Sequence, residues 1–318
     1  MEKAALNVRR ALARVPVVPV AVAGYLLLIV IAGYYFRMSL TPDRVVILLL
    51  ILGLTTGRVR IFLRDWSLFL VVLLAWQLAS GFSRHISNFR PHVTEMIRFD
   101  RFLFFGHLPT TWLQSHFLHA EHLAWYDVAA AVLYLLHFVF PISFAFALWQ
   151  WRQPLFYSYM KAFVVLAMLG FATYVLFPAA PPWIAANRLH EFPHVHRIVA
   201  LVVEQYLGGR QTFSTLYQFL FHHGGWDLYG AVPSEHAAFP FLCFLYARRA
   251  WPKYGWLLGG YVLAVSIAVV YLGEHYVADV LAGYAYAAVA YVVVQRIGMR
   301  ADREAPAEIE PAGESIAI

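Results

Sequence analysis

Long runs of apolar residues, each closed by a short polar or basic turn, set the pattern of this chain. A hydrocarbon layer about 30 Å thick takes roughly 20 apolar helical residues to cross. Eight stretches meet that need, some by borrowing flanking residues: 17–36, 42–57, 66–82, 127–149, 156–177, 237–250, 255–273 and 277–295. The pattern predicts an all-α fold, a polytopic membrane bundle of about eight transmembrane helices. The first run follows Lys3, Arg9, Arg10 and Arg14, as a secretory signal would. It is longer than a signal core and no cleavage site follows, so it is read as a retained anchor. Two long segments, 83–126 and 178–236, interrupt the series. They are too polar to span and are expected to carry helices lying in the outer interface.

Composition narrows the class. Hydrophobic residues make up 61% of the 318 and charged ones 13%, against about 25% charged in a soluble domain. A soluble enzyme, a disordered chain and a collagen-like chain are excluded. One cysteine, Cys243, forms no intramolecular disulfide. The net charge of +6 raises the question of nucleic acid, but the basic residues cluster in short turns between apolar runs, where they act as topology signals. With eight spans, the N-terminus, Arg58/Arg60/Arg64, Arg152, Arg248/Arg249/Lys253 and Arg296/Arg300/Arg303 all fall on one side. That side is the cytoplasm, so both termini are expected there, in a multi-pass protein of the cell membrane. Three regions follow: N-terminal membrane helices at 1–82, a larger membrane domain at 83–297, and a disordered cytoplasmic tail at 298–318 that carries Pro306, Pro311 and five acidic residues.

The outer side holds nearly all the histidines, and two groups of residues there can carry chemistry. In Tyr271-Leu272-Gly273-Glu274-His275-Tyr276-Val277-Ala278-Asp279, the histidine and Asp279 are four apart and share a helix face. A carboxylate there can accept the proton of one imidazole nitrogen and leave the other as base or nucleophile. The same spacing also fits a capped, partly solvated helix start. In Ala231-Val232-Pro233-Ser234-Glu235-His236, Pro233 ends what precedes it and Ser234 is a good N-cap. The backbone N–H groups that follow face any anion placed there; an ordinary capped helix start fits as well. About forty residues separate the two groups, enough for two spans, so both histidines come to one membrane face. One can attack phosphorus while the other protonates the departing alkoxide, which is what metal-free phosphoryl transfer needs.

Here the sequence resembles the type 2 phosphatidic acid phosphatase superfamily. Pro233-Ser234-Glu235-His236 is similar to its second signature, Pro-Ser-Gly-His, and His275 to Asp279 to its third. The arginine usual six residues before the latter histidine is Val269 here, and the first signature, Lys-x6-Arg-Pro, is absent. Three further stretches resemble the branch related to inositol phosphorylceramide synthase: Phe177-Pro178-Ala179-Ala180-Pro181-Pro182-Trp183; Asp100-Arg101 with Phe105-Gly106 and Pro109-Thr110; and Tyr271-Leu272 with His275-Tyr276. The resemblance covers roughly residues 95–295. It implies a six-helix phosphatase-like core, with His275 as the nucleophile that forms a phosphohistidine, Asp279 as its orienting partner and His236 as general acid. It implies no cofactor and no metal.

With the usual cations missing, other groups must bind the phosphate. Ser234, Arg188, Arg101 and Arg210, all on the outer side, are the candidates; Arg188 stands where the missing first signature falls in chain order. The same arginines also fit contacts to lipid headgroups or to Asp100 and Glu191. Pro181-Pro182 is read as a rigid exit from the membrane. His119 and His122, His194 and His196, and His222 and His223 do not assemble three or four metal ligands by spacing, and His137 is read as a core histidine. The expected partners are the membrane, a phospholipid or polyprenyl-phosphate substrate and a polyol or sugar acceptor, with no nucleic acid. Water as acceptor makes the protein a lipid phosphatase; an alcohol, or a phosphodiester donor, makes it a phosphotransferase that produces a phosphoinositol-type lipid. A non-enzymatic lipid or proton-coupled transporter is the competing class, and it calls for polar residues at the bilayer midplane.

Overall fold

Gln153–Leu176 forms one unbroken helix because its only proline, Pro154, stands in the first turn, where a missing N–H costs no intrahelical bond. In the computed structural model, which describes residues 60–67, 69, 91–206 and 229–304, all regular elements are helical. In chain order they are α1 (Thr94–Leu103), α2 (Pro109–Phe117), α3 (Trp125–Leu135), α4 (Phe140–Trp151), α5 (Gln153–Leu176), α6 (Pro182–Asn187), α7 (Ile198–Tyr206), α8 (Glu235–Ala250), α9 (Leu257–Tyr271) and α10 (Val277–Glu304). The chain is an all-α membrane bundle. Among the described residues two helices, Gln153–Leu176 and Val277–Gly298, are long and apolar enough to cross a membrane by themselves. The expected spans 17–36 and 42–57 lie outside the described residues, as does most of 66–82.

Two helical segments differ in shape or length from the expected runs, and the first still has the length and apolarity of a span when its two halves are taken together. The run at 127–149, read as one span, is a bent pair: α3 and α4 meet at 56° across a 3-10 turn at Leu136–Phe138. Pro141, in the first turn of α4, accounts for the break, since its ring blocks helical bonding one turn back. The last helix also runs past the expected boundary at 298, as far as Glu304.

α8 packs against α10, α9 and α5, and α10 lies along α5. Lipid tails are as apolar as leucine, so close packing and interhelical hydrogen bonds hold such a bundle together. Aromatics dominate the packing, with Trp66, Trp149, Phe156, Tyr159 and Tyr246 fully buried in one cluster. Polar contacts stitch the helices: Thr173 Oγ1 to Tyr286 OH at 2.8 Å, Ser266 Oγ to Tyr284 OH at 2.6 Å, and Gln295 Nε2 to Ser158 Oγ at 3.0 Å. Each such bond contributes on the order of 1 kcal/mol.

At the end of the bundle where α8 and α10 begin, the chain is held by backbone. His92 N donates to Pro178 O at 2.8 Å, Ala180 N to His92 O at 3.0 Å, Ala179 N to Tyr229 O at 2.6 Å, and Ala231 N to Ala179 O at 3.1 Å. Ala179 thus bridges two extended segments, His92 on one side and Gly230 on the other. The proline-rich element does more than leave the membrane: Pro181 and Pro182 start α6, and Ala179 and Ala180 are fully buried at the centre of this junction.

Candidate active site

Pro233, Ser234 and His236 form the corner that opens α8. Tyr174 OH of α5 donates to Pro233 O at 2.8 Å, and Ser234 N donates to the carbonyl of Asp279 at 2.9 Å. Gly283 allows α10 to pass this corner, because a Cβ there would lie 2.5 Å from Ser234 O. Ser234 occupies the N-cap position, but its hydroxyl makes no capping bond. Instead Ser234 Oγ is buried, with no partner among the described residues.

The second corner joins α9 to α10. Gly273 turns the chain with φ at +81°, a conformation costly for any residue with a Cβ. His275 follows, with 5% of its surface exposed. Its Nδ1 lies 3.0 Å from Ala231 O and 3.4 Å from Asp279 Oδ2. The expected acceptor, the carboxylate, is therefore the more distant of the two. Asp279 Oδ2 is engaged by Tyr276 N at 2.8 Å, and this ties the carboxylate to its own turn. Both neighbours of Nδ1 are acceptors only, so Nδ1 carries the hydrogen and Nε2 the lone pair.

That lone pair faces the other histidine. His236 Nδ1 lies 3.2 Å from His275 Nε2, so by the same accounting His236 donates. The His236 ring stacks on Tyr134 at 4.3 Å between centroids, nearly parallel, and touches His137 at 4.2 Å. His137 belongs to the 3-10 turn between α3 and α4, so the helix break delivers it to the site.

Among the described residues, one cation close enough to this pair to act on it is one that the sequence reading passed over. Arg197 is within electrostatic reach of His236. Its Nε donates to Glu274 Oε1 at 2.6 Å and its Nη2 to Glu274 Oε2 at 3.3 Å, and its guanidinium lies 4.6 Å over the Trp183 ring. Its loop is fixed by two side-chain amides. Gln114 Nε2 donates to His196 O at 2.9 Å and to Tyr271 O at 2.8 Å, and Asn187 Nδ2 donates to Val195 O at 2.7 Å. Arg188 is exposed and lies 5.3 Å from the same Trp183 ring, at the rim. Arg101 is exposed on α1, and among the described residues no hydrogen bond or ion pair joins it to the histidines. Arg210 lies outside the described residues. Arg197 meets the criterion that selected those three, a basic residue in a long outer segment; what the sequence does not carry is Glu274 as its partner.

Among the described residues no three His, Cys, Asp or Glu side chains are arranged to hold a metal. The site offers a lone-pair nitrogen, a donor nitrogen opposite it, a buried hydroxyl and a guanidinium. This is a set for nucleophilic attack, leaving-group protonation and charge neutralisation at an anion.

The profile of the PAP2 superfamily matches residues 94–293. The chain belongs to the PAP2 superfamily. It is 25% identical over 177 residues to the inositol phosphorylceramide synthase catalytic subunit aur1 of Schizosaccharomyces pombe, covering 54% of this chain and 40% of that protein. It is 30% identical over 175 residues to the phosphoinositol dihydroceramide synthase of Bacteroides thetaiotaomicron, covering 51% of this chain and 53% of that protein. The chain thus spans about half or less of the length of these relatives. No solved structure matches it. The PAP2 match takes in both histidine corners, Arg197, α1 and α2.

Proposed function

We propose that this PAP2 protein is a membrane phosphotransferase that cleaves a lipid-linked phosphate through a phosphohistidine on His275. The observation that carries the reading is the 3.2 Å contact between His275 Nε2 and His236 Nδ1, with the hydrogen of His275 held on Nδ1. A phosphorus atom entering beside this contact meets a nucleophile and a proton donor together. Nε2 forms the N–P bond, the P–O bond to the donor lipid breaks, and His236, entering the step as imidazolium beside the bound phosphate, passes its Nδ1 proton to the leaving oxygen and is left as neutral imidazole. The acceptor hydroxyl then returns a proton to His236 Nδ1 as its oxygen attacks phosphorus and the N–P bond breaks. Asp279 and Ala231 O hold the cationic ring in between. Arg197 neutralises the phosphate, Ser234 Oγ supplies a donor, and Arg188 serves at the rim.

The two relatives, named as synthases of inositol phosphorylceramide and phosphoinositol dihydroceramide, favour an alcohol over water as acceptor. The donor in this reading is a phosphodiester glycerolipid, and the phosphorylated polyol moves to a second lipid. Hydrolysis of a phosphomonoester lipid is the second reading, since the same histidine pair accepts water.

The site belongs to the extracytoplasmic leaflet in this reading. Arg152 Nε donates to Ala250 O at 3.2 Å, at the end of α8 opposite His236, and Arg249 bonds Gln295 near the same end. Basic turns at that end mark the cytoplasmic side.

The test uses purified protein with EDTA present and two substrate pairs: phosphatidylinositol with fluorescent ceramide, and labelled phosphatidic acid alone. A new fluorescent phospholipid with release of diacylglycerol supports transfer, and phosphate release supports hydrolysis. Neither product, at any acceptor concentration, overturns the enzymatic reading and leaves a carrier.

A further inference from the structure

We infer that Asp100 is a positioning residue for this site, holding the catalytic turn from the outer helix α1. The inference rests on the proposed reaction at His275. Asp100 lies on the inward stripe of α1 with Val93, Met96 and Ile97, where an apolar residue is expected, and it is fully buried. A buried carboxylate is costly unless it is fully bonded. Its Oδ2 accepts Val277 N at 3.0 Å and its Oδ1 accepts Ala278 N at 2.9 Å, across 177 and 178 residues of chain. The first amides of a helix have no partner within it, and α10 has no capping side chain of its own at these two. Asp279 takes the amide of Tyr276, so the two carboxylates together satisfy three consecutive N–H groups directly after His275.

The bonds close a ring. α1 follows His92, His92 is bonded to Pro178 and Ala180, Ala179 is bonded to Ala231, and Ala231 O accepts from His275 Nδ1. Asp100 completes the circuit from the other side of His275. The imidazole is thereby held at Nδ1 by Ala231 O while the backbone that carries it is held by the clamped turn. The outer face of α1 exposes Phe102 and, just past its end, Phe105. Apolar groups of this kind insert at a lipid surface, so the helix that clamps the nucleophile is also one that meets the membrane.

Full-length wild type, Asp100→Ala and Asp100→Asn are compared by amide hydrogen exchange and by turnover of the two substrate pairs above. The expected result is exchange about tenfold or more faster at Val277 and Ala278 with unchanged protection in α8 and α9. It is accompanied by a kcat about 10- to 100-fold lower at unchanged KM. Asp100→Asn, which keeps one acceptor, falls between. Unchanged exchange at the two amides overturns the inference, and so does general loosening of α8 and α9 with kcat and KM moving together, which marks a purely structural group. If Asp100→Ala does not fold, Asp100→Asn supplies the same comparison. If wild type turns over neither pair, the reaction reading fails separately, while the exchange at Val277 and Ala278 still decides whether Asp100 clamps the turn.

Discussion

Arg197 and Glu274 form a two-bond ion pair directly beside the histidine corner, with Nε 2.6 Å from Oε1 and the pair lying against Trp183. The carboxylate holds the guanidinium in place without a substrate, so in the proposed reaction the phosphate would meet a cation already oriented. Removing Arg197 alone leaves Glu274 buried and unpaired, which costs about 3–5 kcal/mol of stability. Replacing both, with Arg197→Met and Glu274→Leu, returns most of that stability. The expected outcome is a double variant that unfolds near the wild-type temperature and turns over no phospholipid. A double variant that stays active removes Arg197 from phosphate binding.

His275→Ala is expected to abolish turnover and His236→Ala to reduce it by about 10²–10⁴. The His236 loss depends on the leaving group: large for an alkyl lipid phosphate, small for p-nitrophenyl phosphate, whose leaving group needs no proton. Asp279→Asn is milder than His275→Ala, because Ala231 O is the nearer acceptor of the His275 hydrogen. Steady-state rates with the two leaving groups check all three. Equal losses for His236→Ala on both substrates would argue against its acid role.

The ring contacts around His236 give a further expectation. Tyr134 and His137 flank it at 4.3 and 4.2 Å. His137→Ala removes one wall and leaves a gap beside His236, so turnover falls about tenfold or more as its Nδ1 loses alignment. His137→Phe keeps the wall and stays within a few-fold of wild type. If the phenylalanine variant is as impaired as the alanine one, the nitrogens of His137 matter rather than its shape, and the stacking account fails.

Legibility in the sequence followed the range of the interaction. His275 and Asp279 are one helical turn apart, and Pro233-Ser234 marks a helix start by local preference, so both corners could be read directly. The spans at 156–177, 237–250, 255–273 and 277–295 correspond to α5, α8, α9 and α10 within a few residues, except where α10 continues to Glu304. The break at Leu136–Phe138 was signalled by Pro141, but an apolar run long enough to span masked it. Asp100 and Arg197 act through partners 177 and 77 residues away. No periodicity encodes such pairings; the one local trace of Asp100 is a carboxylate placed on an otherwise apolar helix stripe.

Gly283→Ala sets two effects against each other. In an exposed helix the change gains about 1 kcal/mol of propensity. Here the new Cβ lies 2.5 Å from Ser234 O and 3.4 Å from Ala238 Cβ, so α10 must move off the corner of α8. Overpacking of this kind costs about 1–3 kcal/mol, and the strain falls on Ser234 and Asp279. A lower unfolding temperature with reduced turnover is expected; a more stable, fully active variant contradicts the close approach.

Stability should depend on pH through Asp100 with a definite sign. Burial is the main cause that pushes its carboxyl from the ordinary 3.8 up to about 6, against the pull of the Ala278 and Val277 amides and with a further push from the charge of Asp279. Asp279 and the Tyr276 hydroxyl face it from the other corner, while Arg101, its neighbour on α1, is turned to solvent. A carboxyl whose folded-state value is raised binds its proton more tightly folded than unfolded. Its contribution is therefore full below about pH 4 and is lost as pH rises to about 6. Asp100→Asn does not titrate, so subtracting it removes the contributions of groups common to both proteins. The stability of wild type relative to the variant is expected to fall by roughly 3 kcal/mol across that window and then to stay level at higher pH. Denaturant unfolding of both proteins at matched pH values measures the difference. A difference that is flat from acid to neutral means that burial and the two amide bonds cancel, and one that rises with pH means that the bonds from Val277 and Ala278 outweigh burial.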